Sequence, residues 1–144
     1  MLLLFLVALQ NIYGAFVAGL KAGLIFSSFP KMGDHWIAPE VFSMQPWWKN
    51  ILENGAGVQF IHRLLALSIV ITTSIIFIQS RKLFFPVHMR RIILVLCGAV
   101  LLQFILGVST LLLQVPVVVA SLHQIGAFFL FSVTLLLFHR LNKL

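Results

Sequence analysis

The sequence predicts an all-α, polytopic membrane protein: a four-helix bundle with both termini cytoplasmic and a long outer loop carrying a short interfacial helix. Three observations predict it. Of 144 residues, 61% are hydrophobic and only 9% are charged, against about 25% charged in an ordinary soluble domain. Four apolar runs reach the roughly 20 residues that a helix needs to cross a bilayer. The basic residues collect in the linkers on one side of those runs, the pattern of cytoplasmic loops.

The first span covers about 1–20 and holds no charge. The second, about 58–79, is interrupted only by His62 and Arg63. The third, about 92–113, is uncharged, and the fourth, about 117–138, contains only His123. Runs such as Ile69-Val70-Ile71 and Leu111-Leu112-Leu113 do not alternate apolar with polar, which argues against barrel strands. All four spans form one domain over residues 1–144. A signal peptide is not expected, because no basic residues precede the first run and no clean small-residue cleavage site follows it.

The linkers orient the spans. Arg81, Lys82, Arg90 and Arg91 lie between spans two and three, and Arg140 and Lys143 follow span four. These ends are expected inside. The connection from Lys21 to Gly57 balances Lys21, Lys31 and Lys49 against Asp34, Glu40 and Glu53, so it is expected outside. This placement accounts for most of the net charge of +7 and leaves no basic patch for nucleic acid. The outer loop carries Trp36, Trp47 and Trp48, residues typical of the lipid–water interface. Pro46 suits the first turn of a surface helix over Trp47–Glu53. That helix either anchors the loop or roofs the space between the spans.

Ionisable residues inside a membrane are functional candidates by default. His62 and His123 lie four and six residues below the outer ends of two parallel spans, roughly 6 and 9 Å at 1.5 Å per residue. Two imidazoles at matched depth suit a metal held between helices, and haem iron accepts axial histidines. Ala66 near His62, and Ala120, Gly126 and Ala127 near His123, would let a macrocycle approach. Gly107 offers either haem contact or helix packing. Arg63 could snorkel outward to a haem propionate or pair with an acid of the outer loop. The alternative for each histidine is a hydrogen bond to a neighbouring helix. Zinc or copper lacks a third ligand at this depth, and the lone Cys97 has no partner thiol. Ser68 and Ser74 are expected to bond back to their own helix. His88 and His139 suggest a second, inner pair and a two-haem electron carrier.

The order of motifs then points further. Gly14-Ala15-Phe16-Val17-Ala18-Gly19-Leu20-Lys21-Ala22-Gly23 is followed by Phe29-Pro30-Lys31-Met32, Glu53-Asn54 and Val58-Gln59-Phe60-Ile61-His62-Arg63. Gln103-Phe104-Ile105-Leu106-Gly107-Val108-Ser109-Thr110-Leu111-Leu112, Val115-Pro116 and Leu122-His123-Gln124 come next. Across nearly the whole chain this resembles the C-terminal half of heme A synthase. The resemblance implies one half of an eight-helix, two-half enzyme that oxidises the C8 methyl of heme O to the formyl group of heme A for cytochrome oxidase. It implies a haem b cofactor with His62 and His123 as axial ligands. Arg63, Gly107 and Gly126 complete the expected cofactor site. No catalytic residue is assigned, because Gln59 stands where the family's substrate half has a glutamate, and the outer loop has no cysteine. The implied partners are membrane lipid, a separate N-terminal half or a second copy, and an electron-donor protein. The implied location is the bacterial plasma membrane or the mitochondrial inner membrane. A stand-alone b-type cytochrome and a haemless assembly factor remain the other readings.

Overall fold

The structure, a computed structural model, describes residues 1–143. Five α-helices follow in order: α1 (Leu2–Gly19), α2 (Lys49–Leu52), α3 (Gly55–Lys82), α4 (Val87–Leu112) and α5 (Val117–Leu141). Four of them, all but α2, are long and apolar enough to cross a membrane. They close into a ring in which α1 packs on α3 and α4 on α5 most extensively, with thinner seams between α3 and α4 and between α1 and α5. His62 and His123 therefore sit on diagonally opposite helices.

The spans are longer than the apolar runs, and local chemistry explains each extension. Helix α3 starts at Gly55, three residues before the expected start, because Asn54 caps it: the Oδ1 accepts from Ala56 N at 2.9 Å and Gly57 N at 3.3 Å. It runs on to Arg81 and Lys82, cations that suit the negative end of a helix. Helix α4 begins directly after Pro86, so His88, Arg90 and Arg91 form its first turns rather than a loop. Helix α5 continues through His139 and Arg140. Polar residues stop an apolar run, but they do not stop a helix that passes into the interface.

The long loop is ordered by its own small core. Met32, Ala38, Val41 and Ala56 are buried, with Phe26 and Phe60 packed against them. The expected surface helix shrinks to the single turn α2. Bonds from Lys49 N to Pro46 O, Asn50 N to Trp47 O and Ile51 N to Trp48 O wind residues 46–51 as a tight i→i+3 turn. Asn50 explains the short length. Its amide spans the turn, with Nδ2 donating to Met44 O at 2.8 Å and Trp47 O at 3.0 Å. Trp36 and Trp47 are 68% and 71% exposed, so their rings face outward and anchor rather than roof.

Beneath the loop, towards the basic end of the bundle, lies a dry cluster. Leu3, Val7, Ile69, Met89, Ile93, Leu96, Leu130 and Leu137 are among its buried members.

Candidate haem site

At the loop end the four long helices direct polar groups inward. His62 lies seven residues into α3 and His123 six residues into α5, which puts them about 10 and 9 Å along parallel helices. Each ring packs beside a glycine of the neighbouring helix. A Cβ on Gly14 would stand 3.5 Å from His62 Cε1, and one on Gly107 would stand 3.0 Å from His123 Cε1. Gly107, on α4, thus supplies the clearance that His123 occupies.

Two glutamines complete the setting. Gln10 Nε2 donates to His62 Nε2 at 3.2 Å. Gln103 Nε2 donates to the His123 carbonyl at 2.8 Å. Gly126 serves this second contact, because a Cβ there would lie 2.5 Å from Gln103 Oε1. The structure therefore places Gly126 against Gln103 and Gly107 against the imidazole itself.

Arg63 is turned upward into the loop. Its Nη1 donates to Lys31 O at 3.1 Å and Pro30 O at 3.4 Å, and its Nη2 donates to Phe26 O at 3.1 Å. Gln59 Nε2 also donates to Phe26 O, at 3.1 Å. The partners of Arg63 are backbone carbonyls rather than the loop's acids. Its Nε is buried without a partner.

Several buried polar atoms at this end have no hydrogen-bond partner: His62 Nδ1, His123 Nδ1, Gln10 Oε1, Gln59 Oε1, Gln103 Oε1 and Arg63 Nε. Buried groups of this kind ordinarily find partners. These atoms are gathered at the loop end of the bundle. The serines behave otherwise, with Ser68 Oγ donating to Leu64 O at 2.9 Å and Ser74 Oγ to Val70 O at 2.8 Å. No cluster of three or more His, Cys, Asp or Glu side chains suited to a metal occurs among the described residues. His88 and His139 are exposed at the basic end, and His35 is exposed in the loop.

Sequence reasoning singled out His62, His123, Arg63, Gly107 and Gly126. It gave Gln10 no role, and it named Gly14 and Gln103 only within the order of motifs, not as neighbours of the histidines. Glutamine is uncharged, so it does not break an apolar run. The available signal was the spacing Gln-x-x-x-Gly, present in both α1 and α4.

The chain is similar to known proteins over most of its length. It is 46% identical over 131 residues to the heme A synthase of Wolbachia sp. subsp. Brugia malayi (strain TRS), an alignment covering 91% of this chain and 37% of that protein. It is 41% identical over 138 residues to heme A synthase COX15 of Bos taurus, covering 96% of this chain and 33% of the relative. The Arabidopsis thaliana heme A synthase COX15 is 44% identical over 138 residues, covering 96% and 30%. The chain thus spans about a third of the length of these relatives. No solved structure matches it. Four membrane-crossing helices and relatives from bacteria and mammals make it a multi-pass inner-membrane protein. Residues 1–135 match the family described as cytochrome oxidase assembly protein, and the chain belongs to that family, COX15-CtaA.

Proposed function

We propose that this chain is the haem-binding half of a heme A synthase. In this reading it holds haem b between His62 and His123 and serves the oxidation of heme O to heme A for cytochrome oxidase. One observation carries the reading: two half-buried imidazoles, at matched depth on diagonal helices, each with a buried, unpartnered Nδ1 and a glycine beside it.

The residues fit the group. His62 and His123, with no further metal-ligating cluster among the described residues, would hold the haem iron. Bound there, the haem would supply one-electron redox chemistry. The chain's own residues would ligate, bury and orient it. Gly107 leaves room for the His123 ring, Gly126 leaves room for Gln103, and the free Nε of Arg63 offers a charged donor to a propionate. The loop end would face outside and the basic end the cytoplasm, in accord with the charge distribution.

Residues 1–144 act in this reading as one unit. The substrate site would come from a second half, supplied by another polypeptide segment or by a second copy. Reducing or oxidising equivalents would pass to and from an electron-carrier protein. Gln59, in place of a carboxylate, supports the division of labour, since it cannot serve as a general base.

The test is spectroscopic. Purified from haem-sufficient cells, the protein should show a six-coordinate, low-spin b-type spectrum with one haem per chain. His62→Ala and His123→Ala should each abolish it, and His35→Ala should leave it unchanged. A colourless wild-type preparation would overturn the reading. Two haems per chain, with one lost on His139→Ala, would favour an electron-transfer cytochrome instead.

A further inference from the structure

Helices α1 and α4 carry the same features in the same register. Leu3 and Leu96, Val7 and Val100, Gln10 and Gln103, Gly14 and Gly107, and Leu20 and Leu113 each stand 93 positions apart. The first two pairs are buried, and the glutamines and glycines are the ones at the histidines. The terminations agree as well. Leu20 ends α1 at φ −86°, ψ 1°, and Leu113 ends α4 at φ −88°, ψ 9°. Leu20 N donates to Phe16 O and Leu113 N to Ser109 O, while Lys21 N donates to Ala18 O and Gln114 N to Leu111 O. Lys21 and Gln114 then take the left-handed conformation, at φ 49° and 60°.

Helices α3 and α5 repeat in the same way. His62 and His123, Ala66 and Ala127, Ile69 and Leu130, and Thr73 and Thr134 each stand 61 positions apart, and the last two pairs are buried. The most extensive packing is within α1–α3 and within α4–α5. Two like hairpins running the same way are related by a pseudo-two-fold along the bundle axis.

The geometry points to a bundle made from two copies of one hairpin, in which Gln10 and Gln103 are equivalent positioning residues, one for each histidine. This rests on the haem reading for what the histidines hold, and on the repeat for how they are held. Within each copy one imidazole nitrogen and one glutamine oxygen are buried without partners: His62 Nδ1 with Gln10 Oε1, and His123 Nδ1 with Gln103 Oε1. A histidine that ligates a metal through one nitrogen ordinarily donates the proton on the other to an oxygen acceptor. In each hairpin the buried, unpartnered glutamine oxygen is the candidate acceptor for that proton.

The contacts of the two glutamines differ. An amide nitrogen only donates, so Gln10 Nε2 takes His62 Nε2 as its acceptor at 3.2 Å, an arrangement that suits the ring proton on Nδ1. Gln103 grips the backbone of its histidine instead of the ring. The first glutamine sets a tautomer and the second sets the placement of a helix turn.

Histidine-selective 15N NMR of the full chain in lipid nanodiscs, free of haem, tests this without depending on cofactor. In the wild type, His62 Nε2 should show the shift of an unprotonated nitrogen accepting a hydrogen bond. Gln10→Met should move the His62 signals and leave those of His123; Gln103→Met should do the converse. Haemin titration of the same variants should show a loss of affinity of about 10–100-fold for each, the usual effect of removing a metal-binding histidine's outer partner. Gln10→Glu and Gln103→Glu, which keep an acceptor oxygen, should recover most of it. Histidine signals indifferent to both Met substitutions would overturn the positioning role. So would a loss of affinity that Glu fails to recover in variants of native helix content. Should the wild type take up no haemin, the haem reading fails, and the NMR result alone decides whether the glutamines position the rings.

Discussion

The two ends of the bundle are built on different principles. At the basic end the interior is apolar, formed by residues such as Met89, Ile93, Leu96, Val133 and Leu137. Its buried hydroxyls mostly turn back on their own helix, as Ser80 does to Phe77 O at 2.7 Å and Thr134 to Leu130 O at 2.8 Å. At the loop end the interior holds amides, imidazoles and a guanidinium, and long-range hydrogen bonds tie helix to helix and helix to loop. Lipid tails offer no solvation to a stray polar group. Concentrating such groups at one end therefore carries a cost. The apolar end holds the helices in register so that the polar end can be exact about distance.

The comparison is broken most severely at Asn54. Its amide caps α3 and donates to Glu40 O at 2.7 Å and Asn50 Oδ1 at 3.0 Å. Asn54→Ala removes a cap, worth about 1 kcal/mol, and leaves the buried amides of Ala56 and Gly57 without their acceptor, at about 1–3 kcal/mol. A loss on the order of 3 kcal/mol is expected, read as a fall in the thermal midpoint in detergent together with protease sensitivity of the loop. Gly57→Ala comes next. A Cβ there would collide with the Asn50 carbonyl, and overpacking of that kind costs about 1–3 kcal/mol; differential scanning fluorimetry checks it.

At the apolar end Leu96→Ala should do less than it would in a soluble core. Leu96 is fully buried, yet lipid is as apolar as the protein interior, so the cavity carries the loss and the transfer from water drops out. About 1–2 kcal/mol is expected in reversible unfolding in bicelles. Lys49→Ala closes the series. The Lys49–Glu53 pair is long at 3.9 Å and exposed, so its removal should change stability by under about 0.5 kcal/mol.

What the sequence made legible follows from the same contrast. The spans were plain because an apolar stretch must be long to cross lipid, and the histidines stood out as ionisable groups within it. The helix ends were not plain. Asn54 and the His88–Arg91 turn look like loop by polarity, while backbone hydrogen bonding carries the helix through them. Arg63 was legible as a buried charge, but its partners are main-chain carbonyls of Phe26, Pro30 and Lys31, which no side-chain pattern reveals. Gln10 and Gln103 escaped because their significance lies in what stands opposite, on a helix far away in the chain.

The upward turn of Arg63 has a mechanical consequence. One residue after His62, its guanidinium is tied to three loop carbonyls, so any displacement of the loop is passed directly to the turn of α3 that carries the histidine.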